Sequence, residues 1–267
     1  MTEAVIFFND YSFSTLLALI ALAFTAGFID SIVGGGGFIQ LPALLVNFPN
    51  TDLPTLMGTN KIAGFSGTSV AAYQYAKRIK FNYKLLFFIS FFTLIFSYLG
   101  AKTVSYIHSE SLKPIILVIL IVMAIYTFIK KDLGLIRKAE LSSNKQMLFG
   151  AVMGSFVGFY DGFFGPGAGN FLVLGFVLLF GFEFLAASAY SKFINCVSNI
   201  GALYVFVLQG NYLLEIALLM AACNVAGSLL GTRLAFKKGN GFVRILFLVI
   251  VTLLILRYAY DIFWKSA

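Results

Sequence analysis

The sequence is written twice. In "AGFIDSIVGGGGFIQLP" (26–42) one carboxylate, Asp30, precedes four consecutive glycines, Gly34 to Gly37, and "VGFYDGFFGPGAGNFLV" (157–173) repeats the arrangement with Asp161 and "GPGAG". A single shift of 131 residues superposes the landmarks without a gap. Gly27-Phe28 falls on Gly158-Phe159, Asp30 on Asp161, Gly34 and Gly36 on Gly165 and Gly167, and Lys61 on Lys192. Further along, Ser97 falls on Ser228, Gly100 on Gly231, Lys102 on Arg233 and Lys113 on Arg244. One offset held over so much of the chain means two copies of one supersecondary unit, folded alike and packed on each other.

The medium in which they pack follows from composition. Sixty per cent of the 267 residues are hydrophobic, 11% are charged and the mean hydropathy is +0.93. A soluble domain is nearer half apolar and a quarter charged. Runs such as Leu85–Leu99, Ile115–Ile129 and Phe242–Leu256 approach bilayer-spanning length once their polar flanks are counted. The expectation is an all-α polytopic membrane protein. It has two repeats of about five apolar segments each, over residues 1–131 and 145–267, joined by a linker at 132–144. The segments fall near 12–33, 37–48, 54–76, 83–106 and 112–130, then 145–164, 168–182, 186–208, 212–235 and 242–263. The second segment of each half is short. At about 1.5 Å per residue it spans roughly 16–22 Å against a hydrocarbon core of about 30 Å, so it reads as a half-helix or re-entrant segment.

The net charge of +8 does not point to nucleic acid, because the basic residues sit mostly in short loops between apolar runs. "AKRIKFNYK" (76–84) and the linker after Lys130 are strongly basic and should be cytoplasmic. In the second half the basic loop moves: "QGNY" (209–212) carries no charge, while "RLAFKKGNGFVR" (233–244) carries four basic residues. Matching loops therefore face opposite sides. This describes an inverted-topology repeat with an odd number of crossings and both termini on the non-cytoplasmic side. A parallel duplication of four-crossing units is the alternative, and it would put a strongly basic loop outside. Cys196 and Cys223 fall inside apolar segments, which argues against a disulfide framework. The single histidine, His108, lies in an expected loop, so no His-rich metal site is expected. The N-terminus lacks the basic start of a cleaved signal peptide.

Inverted repeats with interrupted helices are the architecture of secondary transporters, with the substrate site at the interruption. An ion leaving water must regain partners from protein, and a helix N-terminus offers free amides and about half a positive charge. The glycine stretches suit an anion, through backbone at Gly35, Gly36, Gly37 and Phe38 and at Gly167, Ala168, Gly169 and Asn170. The bland reading of those glycines is close helix packing. The third segments add Asn60 and Lys61 in the first half, and Ser191, Lys192, Asn195 and Asn199 in the second. Lys192, Asn195, Ser198 and Asn199 make one polar stripe at helical spacing, and Asn60, Lys61, Gly64, Gly67 and Thr68 give a small and polar stripe in the first copy. A lysine within a span needs a partner or a cavity, unless it snorkels to the interface. Asp30 and Asp161 have three open roles: a proton or cation coupling site, a structural partner to a lysine, or a cap on the broken helix. Asn224, Gly227, Ser228 and Gly231 read as a small-residue packing stripe. No nucleotide-binding loop and no catalytic cluster appears, so neither primary active transport nor an enzyme is expected.

"AGFIDSIVGGGGFIQLPALL" with "GTNKIAGFSGT", and "GFYDGFFGPGAGNFLVLGFV" with "YSKFINCVSNIGAL", resemble the two repeat signatures of the TauE/SafE family of sulfite exporters, also called the toluene sulfonate uptake permease family. The resemblance covers nearly the whole chain. It implies a multi-pass carrier for a small sulfur-containing oxyanion such as sulfite. The leading expectation is a secondary transporter that exports it by alternating access, with no cofactor and with protons, through Asp30 or Asp161, as a candidate coupling ion. It carries the anion site onto the two glycine breaks and the Asn60-Lys61 and Ser191-Lys192 pairs. The halves depart from each other where Ser191 stands opposite Asn60. An organosulfonate or sulfoacetate carrier of the same family, a cation or metal carrier using Asp30 and Asp161, and a non-transporting membrane receptor are the alternatives. Substrate, direction and oligomeric state do not follow from the residues.

Overall fold

A computed structural model describes residues 11–104 and 142–264. The expected segment at 112–130, most of the linker and His108 lie outside the described residues. Every regular element among those described is helical: α1 (Phe13–Val33), α2 (Gly37–Asn47), α3 (Leu53–Ala76), α4 (Tyr83–Thr103), α5 (Ser143–Phe163), α6 (Ala168–Phe180), α7 (Phe184–Leu208) and α8 (Leu214–Trp264). The last is interrupted at Gly239, whose φ of 73° and ψ of −167° are not helical. This break lies between the two segments expected at 212–235 and 242–263.

Local signals explain the boundaries. Asp52 caps α3 by accepting from the Thr55 amide at 3.1 Å, with a proline in the first turn. Asn82 caps α4 by accepting from the Leu85 amide at 3.2 Å. α1 ends where Gly34 turns to φ 90°, and α6 starts after Gly167 at φ 87°. Both values belong to the left-handed region that glycine enters without a Cβ penalty.

Helices α1, α4, α7 and the start of α8 are long and apolar enough to cross a bilayer, while α2 and α6 are shorter apolar helices of 11 and 13 residues. α3 has the length, at 24 residues, but Thr59, Asn60, Lys61, Ser66, Thr68 and Ser69 dilute its hydropathy. Hydrophobic burial offers little to helix association in lipid, so close packing through small residues and hydrogen bonds between helices carry it. In α5, Gly150, Gly154, Gly158 and Gly162 recur every fourth residue and form one stripe. A Cβ on these would press on Ile89, Thr93 and Ser97 of α4 in turn. The matching contact in the other half sets Gly27 of α1 on the backbone of Asn224 in α8.

These contacts fix the sense of each helix. Along α5 and α4 the partner numbers rise together, from Gly150 on Ile89 to Gly162 on Ser97, so the two run parallel. α3 and α8 are also parallel, through Gly58 on Asn211, Gly67 on Asn224 and Tyr75 on Phe236. So are α1 and α8, through Gly227 on Phe24 and Gly231 on Ser31. α4 and α7 match them through Asn82 with Tyr190 and Ser97 with Ser198. α3 and α7 are opposed, because Gly58 meets Phe206 while Ser69 meets Cys196. Thus α1, α3 and the first part of α8 run one way, and α5, α7 and α4 run the other. Each of α1, α3 and α4 is thus antiparallel to the helix 131 residues further along the chain.

The interface between the halves is reciprocal. The Ser97 hydroxyl donates to the Ser198 carbonyl at 2.6 Å, and Ser228 donates to the Gly67 carbonyl at 2.6 Å. The Asn82 amide donates to the Tyr190 hydroxyl at 2.6 Å, and the Leu213 amide donates to the Thr59 hydroxyl at 2.9 Å. In each pair both partners shift by the same 131 residues.

Candidate functional site

Lys61 and Lys192 lie eight residues inside their helices, about 12 Å from the nearer end at 1.5 Å per residue, in helices about 36–38 Å long. Lys61 is 4% exposed and Lys192 is 0% exposed, so neither snorkels to an interface. An ammonium buried at that depth requires a counter-charge. The counter-charge comes from the other half in both cases. Lys61 pairs with Asp161 at 2.7 Å, and Lys192 pairs with Asp30 at 3.0 Å. The acids and lysines are thus crossed, each pair tying the first helix of one repeat to the third-segment helix of the other. The sequence reading left the partner of each acid open.

The two acids are not ligated alike. Asp30 accepts from the Gly36 amide at 3.2 Å through Oδ1, and from the Thr68 hydroxyl at 3.1 Å and Lys192 through Oδ2. One ion pair and two hydrogen bonds thus tie α1, the glycine turn, α3 and α7 together. Asp161 has its ion pair with Lys61 through Oδ1, and its Oδ2 is buried without a hydrogen-bond partner.

A water-accessible cavity of about 40 Å³ lies between these pairs. At roughly 10–15 Å³ per water it has room for a few waters. Its wall includes Asp30, Lys61 and Asp161, glycines from both breaks (Gly35, Gly36, Gly37, Gly165, Gly167 and Gly169), and Asn60, Asn195 and Asn199. Gly35, Gly37, Gly167 and Gly169 donate no backbone hydrogen bond in the two turns. The wall therefore combines one ammonium, two carboxylates, free amides and side-chain amides.

Some expected residues stand behind the wall. Ser191 is fully buried and donates to the Gly169 carbonyl at 3.0 Å, so it holds the second break and does not face the cavity. Lys192 reaches the cavity only through Asp30. Phe38 packs its ring on Gly167, where a Cβ would overlap it. Ala168 lies in the apolar core beneath. Asn170 is fully buried against Gly34 and Gly35, with neither side-chain polar atom hydrogen-bonded.

Four lining residues are not among the expected site residues: Gln40, Gly64, Thr68 and Asn224. Gln40 was the detectable one, a lone amide in an apolar half-helix, and its Nε2 is buried without a hydrogen-bond partner. Asn224 belongs to the packing stripe of α8 and also lines the cavity, because Gly67 lets it approach α3. Among the described residues no group of three His, Cys, Asp or Glu side chains is placed to hold a metal ion.

The family described as sulfite exporter TauE/SafE matches residues 19–258. The chain belongs to this family. A "Probable membrane transporter protein ORF9" of Sinorhizobium is 37% identical over 255 residues, covering 95% of each chain. A "Probable membrane transporter protein" of Haemophilus influenzae is 32% identical over 258 residues, 96% of this chain and 98% of that one. The "Probable membrane transporter protein YfcA" of Escherichia coli K12 is 32% identical over 246 residues, 91% of this chain and 89% of its own. No solved structure matches the chain. This TauE/SafE protein is a multi-pass membrane transporter. The crossed lysine–aspartate pairs of its breaks lie in the matched region.

Proposed function

We propose that the protein is a secondary transporter in the cell membrane that carries a small sulfur-containing oxyanion, sulfite or a short sulfonate, by alternating access. The observation that carries the reading is the cavity itself. It lies between antiparallel halves, at the two helix breaks, and it is walled by Lys61, by Asp161 and Asp30 each paired to a lysine, by unpaired glycine amides and by side-chain amides. Lys61 supplies charge directly. Lys192 acts through Asp30, and Asn60, Gln40, Asn195 and Asn199 complete the shell. Ser191, Ala168, Phe38 and Asn170 support the breaks from behind.

The opposed directions of α3 and α7 favour an inverted repeat in the membrane, with the basic loop at 77–84 on the cytoplasmic side and both termini outside. Rocking one half against the other then exposes the cavity to each side in turn. A sulfite load inside the cell would drive export. The family description, sulfite exporter, supports the substrate class. A cation carrier is disfavoured because each acid is already bonded to an ammonium.

Purified protein in proteoliposomes, offered labelled sulfite, sulfate, thiosulfate and methanesulfonate side by side, tests the reading. Saturable flux of sulfite or the sulfonate, above protein-free vesicles, is expected. Flux of none of the four contradicts it, and so does flux of a divalent metal in their place.

A further inference from the structure

We infer that the transporter moves one proton with each monovalent anion, and that Asp161 is the group that carries the proton. The inference rests on the transport reading above and names the coupling ion of that same site.

The argument begins with charge. Lys61 and Lys192 contribute two positive charges to the site, and Asp30 and Asp161 contribute two negative ones. The empty site is therefore neutral. An anion entering it would leave a net buried charge deep in a bilayer, which is costly. A proton arriving with the anion keeps the loaded site neutral, so the empty and the loaded carrier can both pass through the occluded state.

The geometry selects which acid takes the proton. Asp30 is saturated by Lys192, Thr68 and the Gly36 amide, and a proton there would disrupt all three contacts. Asp161 holds one partner, and its Oδ2 is buried with no hydrogen bond. Both additional ligands of Asp30 have lost their equivalents in the second half. Thr68 corresponds to Asn199, whose amide donates to Asn195 at 3.3 Å instead. Gly36 lies at φ −55°, whereas its counterpart Gly167 lies at φ 87°, so the amide is turned elsewhere.

The groups facing Asp161 from its neighbours support the choice. From α3 comes Lys61. The one charged residue of α7 is Lys192, which is held by Asp30 of α1. α6 presents only the neutral Asn170, and on α4 Lys102 is exposed over the Tyr98 ring, 5.8 Å from its centroid. The neighbouring Tyr160 hydroxyl donates to the Pro166 carbonyl at 2.6 Å. Lys61 is thus the one charged partner of Asp161 among the described residues. It also lines the cavity. When an anion binds the Lys61 ammonium, the Asp161 carboxylate loses its counter-charge and accepts a proton from water on the open side. On release of the anion the acid returns that proton to water and re-forms the pair. One consequence is directional: an inward proton gradient drives uptake, and export runs only down a larger opposing anion gradient.

The test measures labelled sulfite, with methanesulfonate beside it as an anion that carries no proton of its own, together with vesicle-interior pH. Each is run with and without an imposed potassium diffusion potential. The unaltered protein should move one proton per methanesulfonate, and its flux should ignore the potential. In Asp161→Asn the anion flux that remains, whatever its size, should lose the accompanying proton and become sensitive to the potential. Asp161→Glu should restore coupling, which separates proton carriage from a merely structural role. Voltage-driven flux without protons in the unaltered protein overturns the inference while leaving the transport reading intact. So does an Asp161→Asn protein that moves as many protons per anion as before. Absence of any anion flux in the unaltered protein overturns the transport reading, and this inference falls with it.

Discussion

Asp30 and Asp161 hold the same place in the two halves, each late in the helix that precedes a glycine break, and each bonded to a lysine of the other half. Around Asp30 the first half adds a threonine and a backbone amide. Around Asp161 the second half adds neither. The scaffold meanwhile keeps its symmetry closely, down to paired serine hydrogen bonds of the same length. Duplication thus produced two equivalent frames and two inequivalent acids. One acid is built into the break and the other is left with a free oxygen beside the cavity.

Substitutions can break this comparison, beginning with the lysines. Lys61→Met strands Asp161 in the interior with no other ligand, and removing one member of a buried pair costs about 3–5 kcal/mol. Lys192→Met leaves Asp30 its threonine and amide, so the loss should be smaller by about 1–2 kcal/mol. Thermal unfolding in detergent ranks the two, and a reversed order would remove the distinction between the acids. Next come the glycines that carry the symmetric scaffold. Gly27→Leu and Gly158→Leu each drive a side chain into the backbone of the neighbouring helix, at Asn224 and Thr93. Each should cost about 1–3 kcal/mol or more, and the two should match, since the frames are alike. A large difference in unfolding temperature between them would argue against equivalent frames.

Thr68→Val probes the inequivalence from the other side. It removes a hydrogen bond to a charged carboxylate, worth about 1–2 kcal/mol, and unchanged stability would mean that Asp30 is no better held than Asp161. The smallest effects are expected for Ser97→Ala and Ser228→Ala, about 0.6 kcal/mol each by the average for hydrogen bonds within membranes. Those two should again agree, and only paired measurements on the same preparation will resolve them.

The frame was far more legible in the sequence than the site. The constant offset, the apolar runs and the glycine breaks are local, one-dimensional signals, and α1 to α7 begin and end within about three residues of the segments expected from them. Loop charge carried the expectation that matching loops face opposite sides of the membrane, because charge is counted by position in the chain. The pairing of Lys61 with Asp161 and of Lys192 with Asp30 depends on how the halves meet, which no local pattern records. Ser191 sits on the polar face of α7 yet turns to the Gly169 carbonyl, a choice made by the backbone of another helix. Asn224 was concealed by its company, since a packing stripe and a cavity wall share the same small residues. Gln40 was legible and passed over: a buried amide in an apolar half-helix is costly unless something fills the space before it.

The measurement that addresses the central claim most directly is sulfite flux into proteoliposomes by the unaltered protein, Lys61→Met and Lys192→Met, each retaining its elution profile. The account predicts saturable flux for the unaltered protein and a loss of about tenfold or more in both variants, since removing an interaction of 1.4 kcal/mol already costs a factor of ten. Undiminished sulfite flux in both variants would contradict it.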